Sequence, residues 1–237
     1  MKSKENKVKI NKNTKKKIVE KIKAANFLDA IKKVKSLSEQ KKRNFNESVD
    51  LAIVLGIDAK QSDQAVKGSV LLPNGLGKDV KVLAFVANDD QKNIALESGA
   101  IYAGLEDLIQ KIEEGFYGFD CCIATPDVMQ KISKVARKLG PRGLMPSPKN
   151  GTVTNDIKLA ISDAKKGKVD FKNDKSGIVH CMLGKIDFSE DKLFENFNVL
   201  LKSIKDAKSD SVKGKFIKTL YINSTMGPSV EIAIDSI

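Results

Sequence analysis

Apolar positions along this chain change their spacing from one region to the next, and each spacing predicts its own element. Ile18, Ile22, Ala25, Leu28, Ile31 and Val34 recur at three- and four-residue steps with lysines between them, which predicts an amphipathic helix, or two joined near Asn26. The stretch "NFNESVDLAIVLGI" then alternates. Phe45, Val49, Leu51, Ile53 and Leu55 fall on one face and Asn46, Ser48 and Asp50 on the other, the period of a strand ending near Gly56. "VKGSVLLP" reads as a second strand, closed by the turn-forming "PNGLGK".

From Val80 the pattern becomes short apolar runs separated by helical stretches: "VKVLAFV", "DDQKNIALESG", "AIYAG", "LEDLIQKIEEG", "FDCCIAT" and "PDVMQKISKVARKLG". Strands alternating with helices predict a mainly parallel sheet covered on both faces. The helix predicted over 126–139 is marked at both ends, by Thr125 as N-cap, Pro126 at the first position, Asp127 in the first turn and Gly140-Pro141 beyond the last. After "GTVT" come another helix, "NDIKLAISDAKKG", and two alternating stretches, "VDFKND" and "SGIVHCMLGKIDF". A last helix, "EDKLFENFNVLLKSIKDAK", precedes the strands "KFIKTLYINS" and "SVEIAID". This order predicts an α+β domain made from both chain ends (18–69 plus 159–237) and interrupted by a doubly wound α/β insert over residues 70–158.

Charge supports the division. Residues 1–43 hold 16 Lys and Arg against 4 Asp and Glu, which accounts for the whole net charge of +12. The insert has 11 basic and 11 acidic residues and is neutral. Residues 1–17 hold too few apolar side chains to offset the entropy of ordering them, so they read as a basic, flexible arm. Such an arm serves solubility or a polyanion partner, and composition leaves both open. No apolar core follows its lysines as a secretory signal requires, and no segment approaches the roughly 18 apolar residues of a membrane span. Cys121 and Cys122 are adjacent on a predicted strand, hence on opposite faces, and Cys181 stands alone. All three read as buried small hydrophobes of a protein in the reducing cytoplasm.

Enzyme chemistry finds few groups. The single histidine, His180, lies mid-strand beside Cys181, with no partner from which to build a general base or a metal site. "PNGLGKD" offers Gly75, Gly77 and Lys78, but lacks both the earlier glycine and the following Ser or Thr of a phosphate-cradling loop. No dinucleotide glycine fingerprint follows "VKVLAFV". The carboxylate pairs Asp89-Asp90, Glu106-Asp107 and Glu113-Glu114 fall on predicted helices, where helix dipole and solvent explain them. No catalytic residue, metal or cofactor is predicted. "NSTMGPS" differs, because an apolar strand opens into hydroxyls, a glycine and a methionine before resuming. Ser224 and Thr225 can donate to phosphate or ribose oxygens, Met226 offers a flexible apolar face to a base, and Gly227 lets a backbone approach closely. Those groups suit RNA, with its splayed bases and 2′-hydroxyls, and they equally suit an ordinary hairpin turn.

Four stretches together, "FNESVDLAIVLGID" with "SDQAVKGSVLLPNGLGK", "ARKLGPRGLMPSPKNGTVT", "NDKSGIVHCMLGK" and "LYINSTMGPSV", resemble the universal family of large ribosomal subunit protein one, in its bacterial form. The similarity runs from about Asn26 to Val230 in order and without large gaps. It implies a split outer α+β domain, the main RNA binder, enclosing an inserted three-layer, Rossmann-like α/β domain. It further implies RNA-binding positions at Phe45, Glu47 and Ser48 and at Thr225, Met226 and Gly227, which join the Ser224 hydroxyl read above, with Lys175, Ser176 and Gly177 as neighbours of that surface. Lys175 is expected to pair with phosphate. Where the family commonly has Arg or Lys before the phenylalanine, this chain has Asn44, with Arg43 one position further back.

The resemblance implies a non-enzymatic ribosomal protein of the cytoplasm. Its expected partners are the large-subunit rRNA stalk, exit-site tRNA and the messenger leader of its own operon, whose translation it represses; off the ribosome it is expected to be a monomer. "KLGPRGLMPSPKNG", residues 138–151, concentrates three of the chain's six prolines. It reads as an extended, proline-stiffened segment on the hinge side of the insert, with Arg142 and Lys149, like Arg43, as secondary RNA contacts.

Overall fold

The computed structural model describes residues 22–24, 26–41, 43–212 and 214–233. The basic arm, Ile18 and Ala25 lie outside the described residues. Where the sequence predicts the middle of a helix, the structure has a short strand, β1 (Ile22–Ala24), paired in parallel with β10 (Val230–Ile232). Helix α1 (Phe27–Gln40) starts behind Asn26, whose backbone is extended, and buries Phe27, Ala30, Ile31 and Val34. The predicted stripe is corrected at two points: Ile22 belongs to the sheet, and Leu28 faces outward. A three-residue apolar step fits a helix until a sheet edge elsewhere in the chain offers hydrogen bonds, and sequence spacing does not reveal that edge.

A five-stranded sheet carries this part of the molecule, in the order β1-β10-β9-β2-β8, with β2 (Ser48–Leu55), β8 (Ile178–Lys185) and β9 (Ile217–Ser224) antiparallel. Alternation holds along β2, where Val49, Leu51, Ile53 and Leu55 are buried. Phe45 does not share that face, because the strand begins after it and its ring is 53% exposed. The apolar face is covered by α1 and by α7 (Glu190–Asp206), which buries Leu193, Phe197, Leu200, Leu201 and Ile204. Phe27 stacks on Phe197 with ring centroids 3.9 Å apart. Each such side chain contributes about 1.5–3 kcal/mol on burial, so the apolar face holds α7 more firmly than its Ser189 cap, worth about 1 kcal/mol.

The connector is a two-stranded antiparallel ladder, β3 (Lys67–Leu71) with β7 (Lys168–Lys172), and its Val70 and Phe171 join the same core. Beyond it stands a parallel sheet with β4 (Val82–Phe85) between β5 (Tyr102–Gly104) and β6 (Cys121–Ala124). Leu83 and Phe85 point to one face, with Ile109 and Ile112 of α3 (Glu106–Glu113). Val82 and Ala84 point to the other, with Ala95 of α2 (Asp89–Glu97) and Ile157 and Ile161 of α6 (Ile157–Lys166). Three layers result. Cys122 lies in the first face's core and Cys121 packs toward the second, half-buried. Acids occupy the first turns of α2 and α3 as expected.

Two predicted elements are corrected. The helix over 126–139 is broken into alternating short pieces, with α4 (Met129–Ile132) and α5 (Ala136–Leu139) each preceded by a 3-10 turn. Its apolar stripe survives, since Val128, Ile132, Val135 and Leu139 are all buried. The Ser133 hydroxyl donates to the Gln130 carbonyl at 2.5 Å, a side-chain bond that competes with the helix ladder where the second 3-10 turn begins. Thr125 precedes the first turn, but its hydroxyl is buried without a hydrogen bond. Residues 138–151 are not extended. They form two 3-10 turns, Gly140–Arg142 and Pro148–Asn150, ended by left-handed Gly143 (φ 72°) and Gly151 (φ 62°). Proline fits the first positions of such turns, where its missing N–H is not needed. Among the described residues, no helix is long and apolar enough to cross a membrane, and no cluster of three His, Cys, Asp or Glu could hold a metal.

Candidate nucleic-acid interface

The register of β2 decides which predicted residues meet. Val49 lies opposite Ser224, so the segment before β2 and the loop after β9 emerge at the same end of the sheet. Thr225 fastens them together: its amide donates to the Ser48 carbonyl at 3.1 Å and its Oγ1 accepts from the Ser48 amide at 2.9 Å. The Gly227 amide donates to the Ser224 carbonyl at 3.1 Å and closes the turn. A Cβ at Gly227 would lie 2.4 Å from Ser224 Oγ, so the tight turn excludes larger residues unless that hydroxyl moves.

Glu47 is the keystone of this end. Although it is only 3% exposed, its Oε2 accepts the Met226 amide at 3.1 Å and its Oε1 accepts the Ser38 hydroxyl at 3.0 Å. The Ser224 hydroxyl beside it is the largest influence holding the carboxyl below the usual range. The Met226 amide, the Ser38 hydroxyl and the Arg43 charge add to it against the opposing effect of burial. Ser224 Oγ itself makes no hydrogen bond of ordinary geometry, so its effect here is that of a nearby dipole. Glu47 and Ser224 are therefore nearly buried and order the loop from beneath, at the base of the hollow under Met226.

Apolar tips and cations reach solvent here, together with the exposed carboxylates of Glu39 and Asp187. Met226 is 60% exposed and Phe45 53%. They border adjoining hollows that share Arg43, Ser38 and Glu47: one of about 110 Å³ under Met226 and Gly227, the other of about 460 Å³ beside Phe45, Lys35 and Asp187. Lys185, which the sequence reading missed, donates to the Asn46 carbonyl at 3.2 Å and to Ser48 Oγ at 3.1 Å. Asn46 in turn donates to Asp187 at 2.6 Å. Lys185 stands opposite Ser48 in the β2–β8 register, and pairing of strands so distant in sequence gave no local signal that would have found it.

Other predicted residues lie elsewhere. Lys175, Ser176 and Gly177 form the turn before β8, whose first residue, Ile178, pairs with Val54. They are thus at the opposite end of β2 from Thr225, about 20 Å away at the rise of a strand, and are not immediate neighbours of the Met226 loop. Asp174 shapes that turn by accepting the Ser176 and Ile178 amides, both at 2.8 Å. Arg142 lies on the insert with its guanidinium 3.5 Å from the Tyr117 ring centre, and Lys149 is exposed in the second 3-10 turn. His180 is exposed on the open sheet face, opposite in facing to buried Cys181. A larger groove of about 530 Å³, along Phe27, Leu28 and Phe194, holds none of the predicted residues.

Residues 32–228 match the model of the "Ribosomal protein L1p/L10e family". The chain belongs to that family. Its members are ribosomal proteins, not enzymes. A "Large ribosomal subunit protein uL1" from Coxiella burnetii (strain Dugway 5J108-111) is 47% identical over 214 residues, 90% of either chain. Another of the same name, from Persephonella marina (strain DSM 14350 / EX-H1), is 46% identical over 221 residues, 93% of this chain and 91% of its own. The matched span, 32–228, takes in the insert and the parts of the outer sheet on either side of it, including Phe45, Glu47 and the loop at 224–227.

Proposed function

We propose that this chain is an rRNA-binding structural constituent of the cytoplasmic large ribosomal subunit, and that it grips the rRNA stalk near the tRNA exit site. The outer domain, expected over 18–69 plus 159–237, grips the RNA and the insert, expected over 70–158, moves upon it, with Val70 and Leu72 counted to the outer core and α6, through Lys166, to the insert. One observation carries the reading: a buried carboxylate, Glu47, holds the Met226 amide so that Met226 and Phe45 stand exposed on either side of Arg43, with Lys185 alongside. Exposed apolar tips take unstacked bases, and flanking cations take phosphates. Lys175 to Gly177, at the far end of the same strand pair, extend the contact along the RNA, and Arg142 and Lys149 are secondary contacts from the insert. Swinging of the insert helps release deacylated tRNA. A messenger leader of similar shape competes for the same surface, so the chain represses its own operon once the tighter rRNA site is filled. Off the ribosome it is a monomer.

The test is binding of the full chain to a stalk-type rRNA fragment and to a scrambled RNA, titrated through salt, and repeated without residues 1–17. A preference of about a thousandfold at physiological salt, surviving loss of the arm, is expected. Equal affinities for the two RNAs that collapse together as salt rises overturn the reading.

A further inference from the structure

The proline-rich stretch contributes little to the interface above, yet it ends in a contact on the connector. Asn150, in its second 3-10 turn, bonds to both strands of the ladder. The Ser69 hydroxyl donates to the Asn150 carbonyl at 3.3 Å, and the Asn150 amide group donates to Asp170 Oδ2 at 2.8 Å. Ser69 and Asp170 stand opposite each other in the β3–β7 register, so one residue of the insert clasps a single cross-strand pair.

The ladder itself is anchored to the outer sheet. Val66, Val70, Leu72 and Phe171 lie in the outer core, and Asn173 accepts the Val66 amide at 2.9 Å. The turn after β3 is fastened to α7 by Asn196, which accepts the Asn74 amide at 3.1 Å and donates to the Gly75 carbonyl at 3.0 Å. Gly77 still packs against Phe188 of the outer body, whereas the next residue, Lys78, pairs with Asp120 of the insert at 2.7 Å. On the return, Gly167 (φ 105°) ends α6 and β7 follows at once. The two crossings are therefore short, and a cleft of about 350 Å³ lies beside them. Asp170 and Met182 line it together with Arg142, Leu144, Cys121 and Thr152 of the insert.

We propose that Asn150 is a latch, holding the insert closed on the connector through Ser69 and Asp170, and that breaking its two bonds opens this cleft. The latch rests on the two-domain reading above but is independent of RNA. Two exposed or half-exposed hydrogen bonds shift such an equilibrium by about fivefold, corresponding to about 1 kcal/mol.

Cys121 is a built-in reporter, because it lines the cleft half-buried while Cys122 and Cys181 are buried in the insert and outer cores. Its thiol is pushed up to about 11, first by burial and then by the Asp170 charge, which keeps it slow to react while the cleft is shut. In the full chain carrying Ser69→Ala and Asn150→Ala, alkylation of Cys121 is expected to accelerate about fivefold with Cys122 and Cys181 unchanged, and the radius of gyration by X-ray scattering is expected to rise. Asn150→Asp, which sets a second carboxylate against Asp170, is expected to open the cleft at low salt and to close it partly as salt screens the pair. An unchanged Cys121 rate and radius, or acceleration of all three cysteines together, overturns the latch. Binding of the stalk-type RNA to the same proteins separates the two proposals, since failure of the unmutated chain to prefer that RNA sinks the functional reading and leaves the latch to the cysteine rates.

Discussion

Replacing Glu47 by alanine removes a nearly buried side chain at the base of the hollows beside Phe45 and Met226, and it should weaken RNA binding through the loop it orders. The carboxylate accepts from the Met226 amide at 3.1 Å and from the Ser38 hydroxyl at 3.0 Å. Hydrogen bonds to a charged group contribute about 1.5–3 kcal/mol each, but both donors here are part-buried and water can re-enter, so a total loss of about 2–3 kcal/mol is expected. For a chain of this size that corresponds to a fall of roughly 5–10 °C in the midpoint of the unfolding transition that reports the outer sheet. Glu47→Gln keeps the shape. Its carbonyl can still accept the Met226 amide while its NH₂ group donates to the Ser38 hydroxyl, so only the charge assistance is lost, at about 1 kcal/mol. The assay is circular-dichroism melting of the three proteins, with affinity for the stalk-type RNA measured well below the transition. The expected order is native, then Gln, then Ala, in both stability and affinity. If alanine left both unchanged, Glu47 would not order the loop. If Gln cost as much as Ala, the negative charge itself, not the pair of acceptors, would be what the loop requires.

The other predictions follow from single contacts. Phe45→Ala and Met226→Ala should each lower RNA affinity by about 1–3 kcal/mol with melting unchanged, because both side chains are exposed; a fall in melting without a fall in affinity would count against them as readers. Asn196→Leu should cost about 2–4 kcal/mol in urea unfolding, since it strands the Asn74 amide and the Gly75 and Leu183 carbonyls that this buried residue satisfies. Gly167→Ala should destabilise by more than 1 kcal/mol, because φ is 105° and the new Cβ would meet Gly75 Cα at 2.6 Å; neutral behaviour would mean that the turn relaxes freely. The Glu47 carboxyl is depressed below its ordinary 4.5, so its stabilising effect is complete above that value and is lost as pH falls through the lower folded value. Melting between pH 6 and pH 3 should therefore fall less steeply in Glu47→Gln than in the native chain.

The sequence by itself determined the elements whose signal is local. Alternation through Val49, Leu51, Ile53 and Leu55 survived as β2, and the run of short strands and helices after Val80 became the three-layer insert, because side-chain period directly sets which residues share a face. The loop around Met226 was legible for the same reason: a strand breaking into hydroxyls and glycine is itself a local event. Tertiary structure alone decided what depended on pairing between distant segments. An available edge on β10 drew Ile22 into a strand, and the β2–β8 register brought Lys185 to Ser48 while sending Lys175 to the far end. The register with β9 also set the nearly buried Glu47 beneath Met226, where its carboxylate holds that residue's amide. Those outcomes turn on hydrogen-bond partners more than a hundred residues away, and the spacing of apolar residues carries no information about which partner a strand will take.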